Sequence, residues 1–404
     1  MSEIIKIPDG WLETTLREVI ETANTGLDAI KRAPIVNEET GIKCFRIQDA
    51  SQKKKYKNWG NTLVEEKNYK RFQLIKGDIL IARTGNTIGV NYLVKKNLKS
   101  VFNNGLIRLR VNENIDYRYL YKIIESKVFD RYIQSIAYGT STQPNMQINV
   151  LLGFEFLLPS IPEQKSIAQI LTSFDDKIEL LQAQNKTLET LAQNIFSEWF
   201  GKYQIGDELP DGWRIGKLSE IANHRKTSIK PFNNPEAEYY HYSLPSYDNG
   251  LIPVIEKGEM IRSNKYLVEN NSFLVSKLNP FTPRIWTIFD SLQNFICSTE
   301  FQVVKPKEEL FFSLIHCFLN SDEFTSELSQ KIKGTSSSHQ RVNPQDIFDV
   351  ELVIPTENDL INFNAAIYPL LAKKNINLKQ IQTLSKTRDE LLPRLMSGEL
   401  RVKM

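Results

Sequence analysis

The chain is written twice. Residues 7–19 read IPDGWLETTLREV and residues 209–221 read LPDGWRIGKLSEI, so Pro8-Asp9-Gly10-Trp11 recurs as Pro210-Asp211-Gly212-Trp213. Leu16 and Glu18 recur as Leu218 and Glu220, and KGDILIAR (76–83) is echoed weakly by NNSFLVSK (270–277). AYGTSTQPNMQINVLLGFEFLLP (137–159) is matched by IKGTSSSHQRVNPQDIFDVELVIP (332–355). Both segments open on Gly-Thr-Ser and close on an apolar, strand-like run ending in Pro159 or Pro355. Chance supplies one such match, not three in the same order at nearly constant offset. A period of about 195–200 residues makes each repeat a domain rather than one unit of a solenoid.

Each repeat runs into a long helix. From Glu163 to Phe200 there is neither Gly nor Pro. With Leu171, Ile178, Asn185, Ala192 and Trp199 at heptad position a, Phe174, Leu181, Leu188 and Ile195 fall at d. After Pro355, Ile367, Lys374, Ile381, Arg388 and Leu395 take a, while Leu370, Asn377, Leu384 and Leu391 take d. The offset that aligns Pro159 with Pro355 carries Phe174 onto Leu370, so the two heptad patterns are in phase. Pro369 predicts a local break near the first turns of the second helix. Two arrangements fit this pattern: each helix covers its own domain, or the two helices pair. A 38-residue helix is about 57 Å long, whereas a domain of about 160 residues has a radius of gyration near 15 Å. The helix overshoots its domain, and the matching helix is the nearest apolar partner. Pairing is parallel or antiparallel; the antiparallel form relates the repeats by a pseudo-two-fold axis. Asn185 and Asn377 in the seam cost stability and can fix register.

The fold class expected is α/β (α+β) globular domains in two copies, each followed by a long helix, with the helices paired as an antiparallel coiled coil. The boundaries are 1–158, 159–204, 205–355 and 356–404. Strands are expected at Asp78–Ala82, Leu106–Val111, Ser272–Ser276 and Phe301–Val304, and helices at Asp116–Ser135 and Glu309–Lys331.

The net charge of +3 argues only weakly for nucleic acid. Its distribution is more informative: residues 1–158 hold 24 Lys and Arg against 17 Asp and Glu, whereas residues 201–355 hold 16 against 20. In the basic first domain, Lys53-Lys54-Lys55-Tyr56-Lys57-Asn58-Trp59 interleaves cations with aromatics, followed by Lys67, Lys70 and Arg71 and by Arg83-Thr84-Gly85-Asn86. Lysines neutralise phosphates, and Arg, Asn and Gln form bidentate contacts to base edges. The small polar loop Gly139-Thr140-Ser141-Thr142-Gln143 suits close approach to a backbone. In the second domain the candidates are Arg225, Lys226, Lys277, Arg284 and the run Ser336-Ser337-Ser338-His339-Gln340-Arg341. For Lys53–Lys57 alone, a solvated loop is an equal reading.

Catalytic signatures are missing. The sequence has no G-x-x-x-x-G-K-[ST] loop, no GxSxG elbow and no HExxH. Asn279-Pro280-Phe281-Thr282 lacks the second proline of an amino-methyltransferase tetrad and reads as a turn; Asp175-Asp176 reads as solvated. The four histidines show no metal-ligand spacing, and three scattered cysteines point to a reducing cytoplasm. No apolar run is long enough to span a membrane, and MSEIIKIPDG is not a secretory signal.

The order domain, helix, domain, helix, the paired Pro-Asp-Gly-Trp and Gly-Thr-Ser flags, the entry Leu-Pro-Ser-Ile-Pro-Glu-Gln-Lys and the exit Leu395-Met396-Ser397-Gly398-Glu399-Leu400 resemble, over the whole chain, the specificity subunit of type I restriction–modification systems. The second helix departs from the pattern, since Pro355-Thr356-Glu357-Asn358 replaces the Pro-Glu-Gln entry. The resemblance implies a non-catalytic subunit whose two domains each read one half of a bipartite, asymmetric double-stranded DNA target. It implies a coiled coil that sets the gap and docks two methyltransferase subunits, which bind S-adenosylmethionine. Restriction subunits using ATP and Mg2+ would join, with no cofactor on this chain. The other reading is a duplicated scaffold that binds proteins, which the acidic second domain favours.

Overall fold

A computed structural model describes residues 7–138, 145–203, 206–290, 294–332 and 340–402. Residues 1–178 with 384–404 form one compact unit, and residues 179–383 a second.

In the first unit, an antiparallel sheet has the order Ile20–Thr25, Leu106–Val111, Ile79–Ala82, Asn91–Leu93. Alternate side chains of its central strand enter different cores. Ile79 and Ile81 face the helices Tyr117–Ile124 and Lys127–Tyr138, while Leu80 and Ala82 face a second sheet. That sheet is mixed: Lys43–Phe45 runs parallel to Ser100–Phe102 and antiparallel to Gly60–Thr62.

The second unit repeats the first sheet strand for strand, as Ala222–Arg225, Phe301–Pro306, Ser272–Ser276, Ile285–Ile288. Phe273 and Val275 again enter one core and Leu274 another. The second sheet diverges. Its parallel pair, Glu238–Tyr242 with Phe295–Ser298, is retained, but Lys265–Leu267 adds a strand on the far side of Phe295–Ser298.

The long helices run Ile161–Trp199 and Glu357–Met396. In the first unit Leu171 and Leu395 share one core, and Arg388 Nη1 donates to Asp175 Oδ1 at 2.7 Å. In the second unit Asn377 Nδ2 donates to Asn185 Oδ1 at 2.9 Å, Lys374 pairs with Glu189, and the rings of Phe196 and Phe363 lie 6.3 Å apart. In both units numbers rise along one helix as they fall along the other, so the packing is antiparallel. Leu171, Ile178, Leu181, Asn185, Ile367, Asn377 and Leu395 are buried; Phe174, Leu188, Ile195, Leu370, Ile381, Leu384 and Leu391 are half-buried.

Four expectations need correction. Pro369 does not break the second helix, which is continuous through it. The proline is exposed, and Phe363, Ile367 and Leu371 anchor the turns around it in the core, offsetting one lost backbone hydrogen bond. The helix expected at 116–135 is two helices, because Ser126 Oγ accepts from Phe129 N at 3.2 Å and starts the second. The segment 309–331 divides likewise, with Ser321 capping Asp322–Gln330 through Phe324 N at 3.1 Å. Asp175 is not merely solvated, since it takes Arg388 on one oxygen and Lys122 on the other.

The repeated Pro-Asp-Gly-Trp is a turn. Trp11 N bonds Pro8 O, and Trp213 N bonds Pro210 O, each at 3.0 Å. Gly10 and Gly212 both have φ of +79°, a left-handed conformation that favours glycine. The turn presents Trp11 Nε1 to Glu163 Oε2 (3.0 Å) and Trp213 Nε1 to Asp359 Oδ2 (2.8 Å). Asp359 therefore fills the place of Glu163 four residues after Pro355, so the altered entry of the second helix keeps its acid.

Candidate nucleic-acid interface

In the first unit, the parallel strands Lys43–Phe45 and Ser100–Phe102 end side by side, tied by Asn103 N to Phe45 O at 3.0 Å. Arg46 and Asn103 thus emerge together. The chain then turns into the short helix Ile47–Ser51. Buried Asp49 accepts from Arg46 N (3.0 Å) and Arg46 Nε (3.1 Å), and Lys54 Nζ lies 3.7 Å away. With its amide oxygen turned to the guanidinium, the orientation that satisfies both groups, Gln48 accepts from Arg46 Nη2 at 2.8 Å and Nη1 at 3.1 Å. Arg83 N bonds Gly105 O at 3.0 Å, which brings the end of Ile79–Ala82 to the same place. There Arg83 donates to Asn145 Oδ1 at 2.8 and 3.2 Å, and Thr84 bridges Asn145. Asn86 is exposed in the turn Gly85–Thr87. Between these strand ends lies an open cleft of about 340 Å³, lined by Arg46, Ile47, Gln48, Ser51, Thr87 and Asn103.

Lys53, Lys55 and Lys57 are exposed and form no ion pair among the described residues, whereas Lys54 is drawn to Asp49. The interleaved aromatics are not a stacking surface. Trp59 is buried, with Phe45 at 4.4 Å and Tyr56 at 5.2 Å between ring centroids. Lys70 pairs with Glu66 at 2.6 Å on an exposed helix, and Arg71 lies over Phe72. Thr140, Ser141 and Gln143 lie outside the described residues, as do Ser336, Ser337 and His339.

The second unit holds different chemistry at the corresponding strand ends. Lys277 N bonds Glu300 O at 3.0 Å, as Arg83 N bonds Gly105 O. The short helix Leu244–Asp248 carries Asp248, which accepts from Arg284 Nε (2.7 Å) and Nη2 (2.9 Å). These hydrogen bonds hold the Asp248 carboxyl below its usual range. Arg341 pairs with Glu300 at 3.3 Å, and Arg225 with Glu269 at 3.4 Å. Gln340 O accepts from Asn279 N at 3.1 Å, and Asn279–Thr282 closes a turn. Lys226 is exposed. The named arginines of this unit are thus largely neutralised by carboxylates, consistent with its acidic balance.

Sequence reading missed Arg46, Gln48, Ser51, Thr87 and Asn103. No local signal marks them, since parallel pairing of distant strands creates their neighbourhood. Among the described residues, no group of three His, Cys, Asp or Glu side chains is placed to hold a metal ion, and no helix is long and apolar enough to cross a membrane.

The family model of the type I restriction modification DNA specificity domain matches residues 8–190 and 210–384, starting at each Pro-Asp-Gly-Trp turn. The chain belongs to this family. DNA target recognition is the general role of such specificity subunits, and catalysis lies in other subunits of the enzyme. The type I restriction enzyme MjaIX specificity subunit of Methanocaldococcus jannaschii is 27% identical over 441 residues, covering 100% of this chain and 96% of that protein. The HindI specificity subunit of Haemophilus influenzae is 33% identical over 164 residues, covering 38% of this chain and 35% of the relative. The crystal structure of an S subunit from M. genitalium shares the fold, with a TM-score of 0.63 at 16% identity, covering 99% of this specificity subunit and 98% of that chain.

Proposed function

We propose that this specificity subunit reads a split, asymmetric target in double-stranded DNA, with residues 1–158 and 205–355 each reading one half-site. The helical segments 159–204 and 356–404 set the gap between half-sites. The observation that carries this reading is the repeated framework with unlike chemistry at equivalent strand ends: Arg46, Gln48 and Asn103 around an open cleft in one unit, the Asp248–Arg284 pair in the other. A duplicated fold suits the two-fold symmetry of the DNA backbone, and unlike side chains suit unlike half-sites.

Lys53, Lys54, Lys55, Lys57, Lys70 and Arg71 serve phosphates in this reading. Arg83, Thr84 and Asn86, with Thr140, Ser141 and Gln143, approach the first half-site. Arg225, Lys226, Lys277, Arg284 and the segment from Ser336 to Arg341 approach the second. Two methyltransferase subunits, which carry S-adenosylmethionine, dock on the outer helix faces, and restriction subunits using ATP and Mg2+ join them in the cytoplasm. Ile361, Tyr368 and Ile376, exposed at helical spacing along one side of the second helix, support such docking.

Long-read methylome sequencing of cells carrying the intact system tests the proposal. A split motif with modified adenines in both halves is expected. A continuous motif, or no motif with all subunits expressed, overturns it.

A further inference from the structure

We infer that Arg46, held by Asp49 and backed by Gln48, reads a G·C base pair in the half-site of the first unit; this rests on the DNA-reading proposal above. Arginine recognises guanine by aiming two N–H groups at O6 and N7 in the major groove. A free arginine is a poor reader because its long side chain must be ordered on binding. Arg46 is already ordered. Asp49 grips its Nε at 3.1 Å from the buried side, while Gln48 sits at the Nη1 and Nη2 end. Arg46 and Gln48 both line the 340 Å³ cleft. Gln48 is exposed and can exchange its contact with Arg46 for a base edge without unfolding anything.

The surroundings fit a nucleic-acid partner. Exposed Lys53, Lys55 and Lys57, which form no ion pair among the described residues, closely follow the short helix that lines the cleft. Asn103, which leaves its strand beside Arg46 and also lines the cleft, has a buried side-chain oxygen with no hydrogen-bond partner among the described residues. That oxygen is an acceptor available to a partner's donor. In the second unit, the matching short helix engages its facing arginine in the Asp248–Arg284 pair. An arginine held beside an exposed glutamine in one unit and an arginine paired with Asp248 in the other give the two half-sites different chemistry.

The test selects binding sites from a randomised double-stranded DNA library. It uses the full chain assembled with its methyltransferase subunits, comparing the unaltered protein with Arg46→Lys, Arg46→Ala and Gln48→Ala. Arg46→Lys keeps a cation for Asp49, and the half-site read by the second unit is the internal control for folding. The expected result is a split motif in which one G·C position loses its preference in the Arg46 variants. Affinity for the parent sequence falls roughly 5- to 150-fold, and the other half-site is unchanged. Relaxation at an A·T position, unchanged preferences in Arg46→Lys, or uniform weakening with a shallower salt dependence, the mark of a phosphate contact, overturns the inference and leaves DNA reading intact. Failure of the unaltered complex to enrich any motif overturns both.

Discussion

Trp11 and Trp213 show how single residues close each unit. In the first unit Glu163 is almost fully enclosed and takes Trp11 Nε1, Arg401 Nε (2.7 Å) and Arg401 Nη2 (3.0 Å), while Arg401 also covers the Trp11 ring. Gly398, with φ of +73°, turns the chain so that Arg401 reaches this site, and its missing side chain leaves room for the Pro8 ring. In the second unit Phe200 and Tyr203 cover Trp213, each at 5.3 Å between ring centroids. Arg401→Ala leaves a buried carboxylate with two donors fewer, at a cost of about 1–2 kcal/mol given the exposure of the arginine. Amide hydrogen exchange along Leu12–Thr15 is expected to quicken by about 5- to 30-fold; unchanged protection would show that the contact contributes nothing.

A second residue-scale cluster responds to pH. His316 is fully enclosed between Thr287 (2.9 Å) and Glu189 (3.2 Å). Burial lowers its pKa from the ordinary 6.5, outweighing the opposing pull of Glu189. The unfolded chain therefore binds a proton that the folded chain refuses. The corresponding stability is complete above about pH 6.5 and is lost as pH falls below it. Thermal unfolding of the second unit should drop between pH 7 and pH 5, and His316→Gln should flatten that drop. Equal slopes in the two proteins would refute the assignment.

At the scale of elements, the paired helices carry polar ties where a uniform apolar seam would be more stable. Asn185 and Asn377 make one hydrogen bond, leaving Asn185 Nδ2 and Asn377 Oδ1 buried without partners. Such a pair costs stability relative to an apolar seam and can fix register. Asn377→Leu alone strands Asn185 and should cost about 1–3 kcal/mol in urea unfolding. The double variant Asn185→Leu/Asn377→Leu should unfold at higher urea than the single variant and at least match the parent. A double variant as weak as the single one would show that the pair is not what holds this contact.

At the scale of the whole molecule, the first sheet is repeated strand for strand while the second sheet diverges. If the helices measure the gap between half-sites, one added turn between Gln184 and Asn185, matched near Gln380, lengthens each by about 5.4 Å. The preferred spacer should then grow by roughly 1–2 base pairs at 3.4 Å rise. Methylome sequencing of the double-insertion strain reads this directly, and an unchanged spacer in an active enzyme removes the ruler from the proposal.

The sequence by itself determined the duplication, the central strands of each first sheet and the heptad helices, because each is a local or strictly periodic pattern. Ile79–Ala82 is apolar throughout since both its faces are covered, and Asn185 and Asn377 stand out in a seven-residue repeat. Tertiary structure decided what depends on meetings between distant segments. The pairing of Lys43–Phe45 with Ser100–Phe102 made neighbours of Arg46 and Asn103, and the core around Ile367 and Leu371 kept the helix intact through Pro369. Cooperative packing also drew Trp59 inward, away from the surface that its lysine neighbours had implied, because an indole ring gains far more from burial than a flanking lysine stem does.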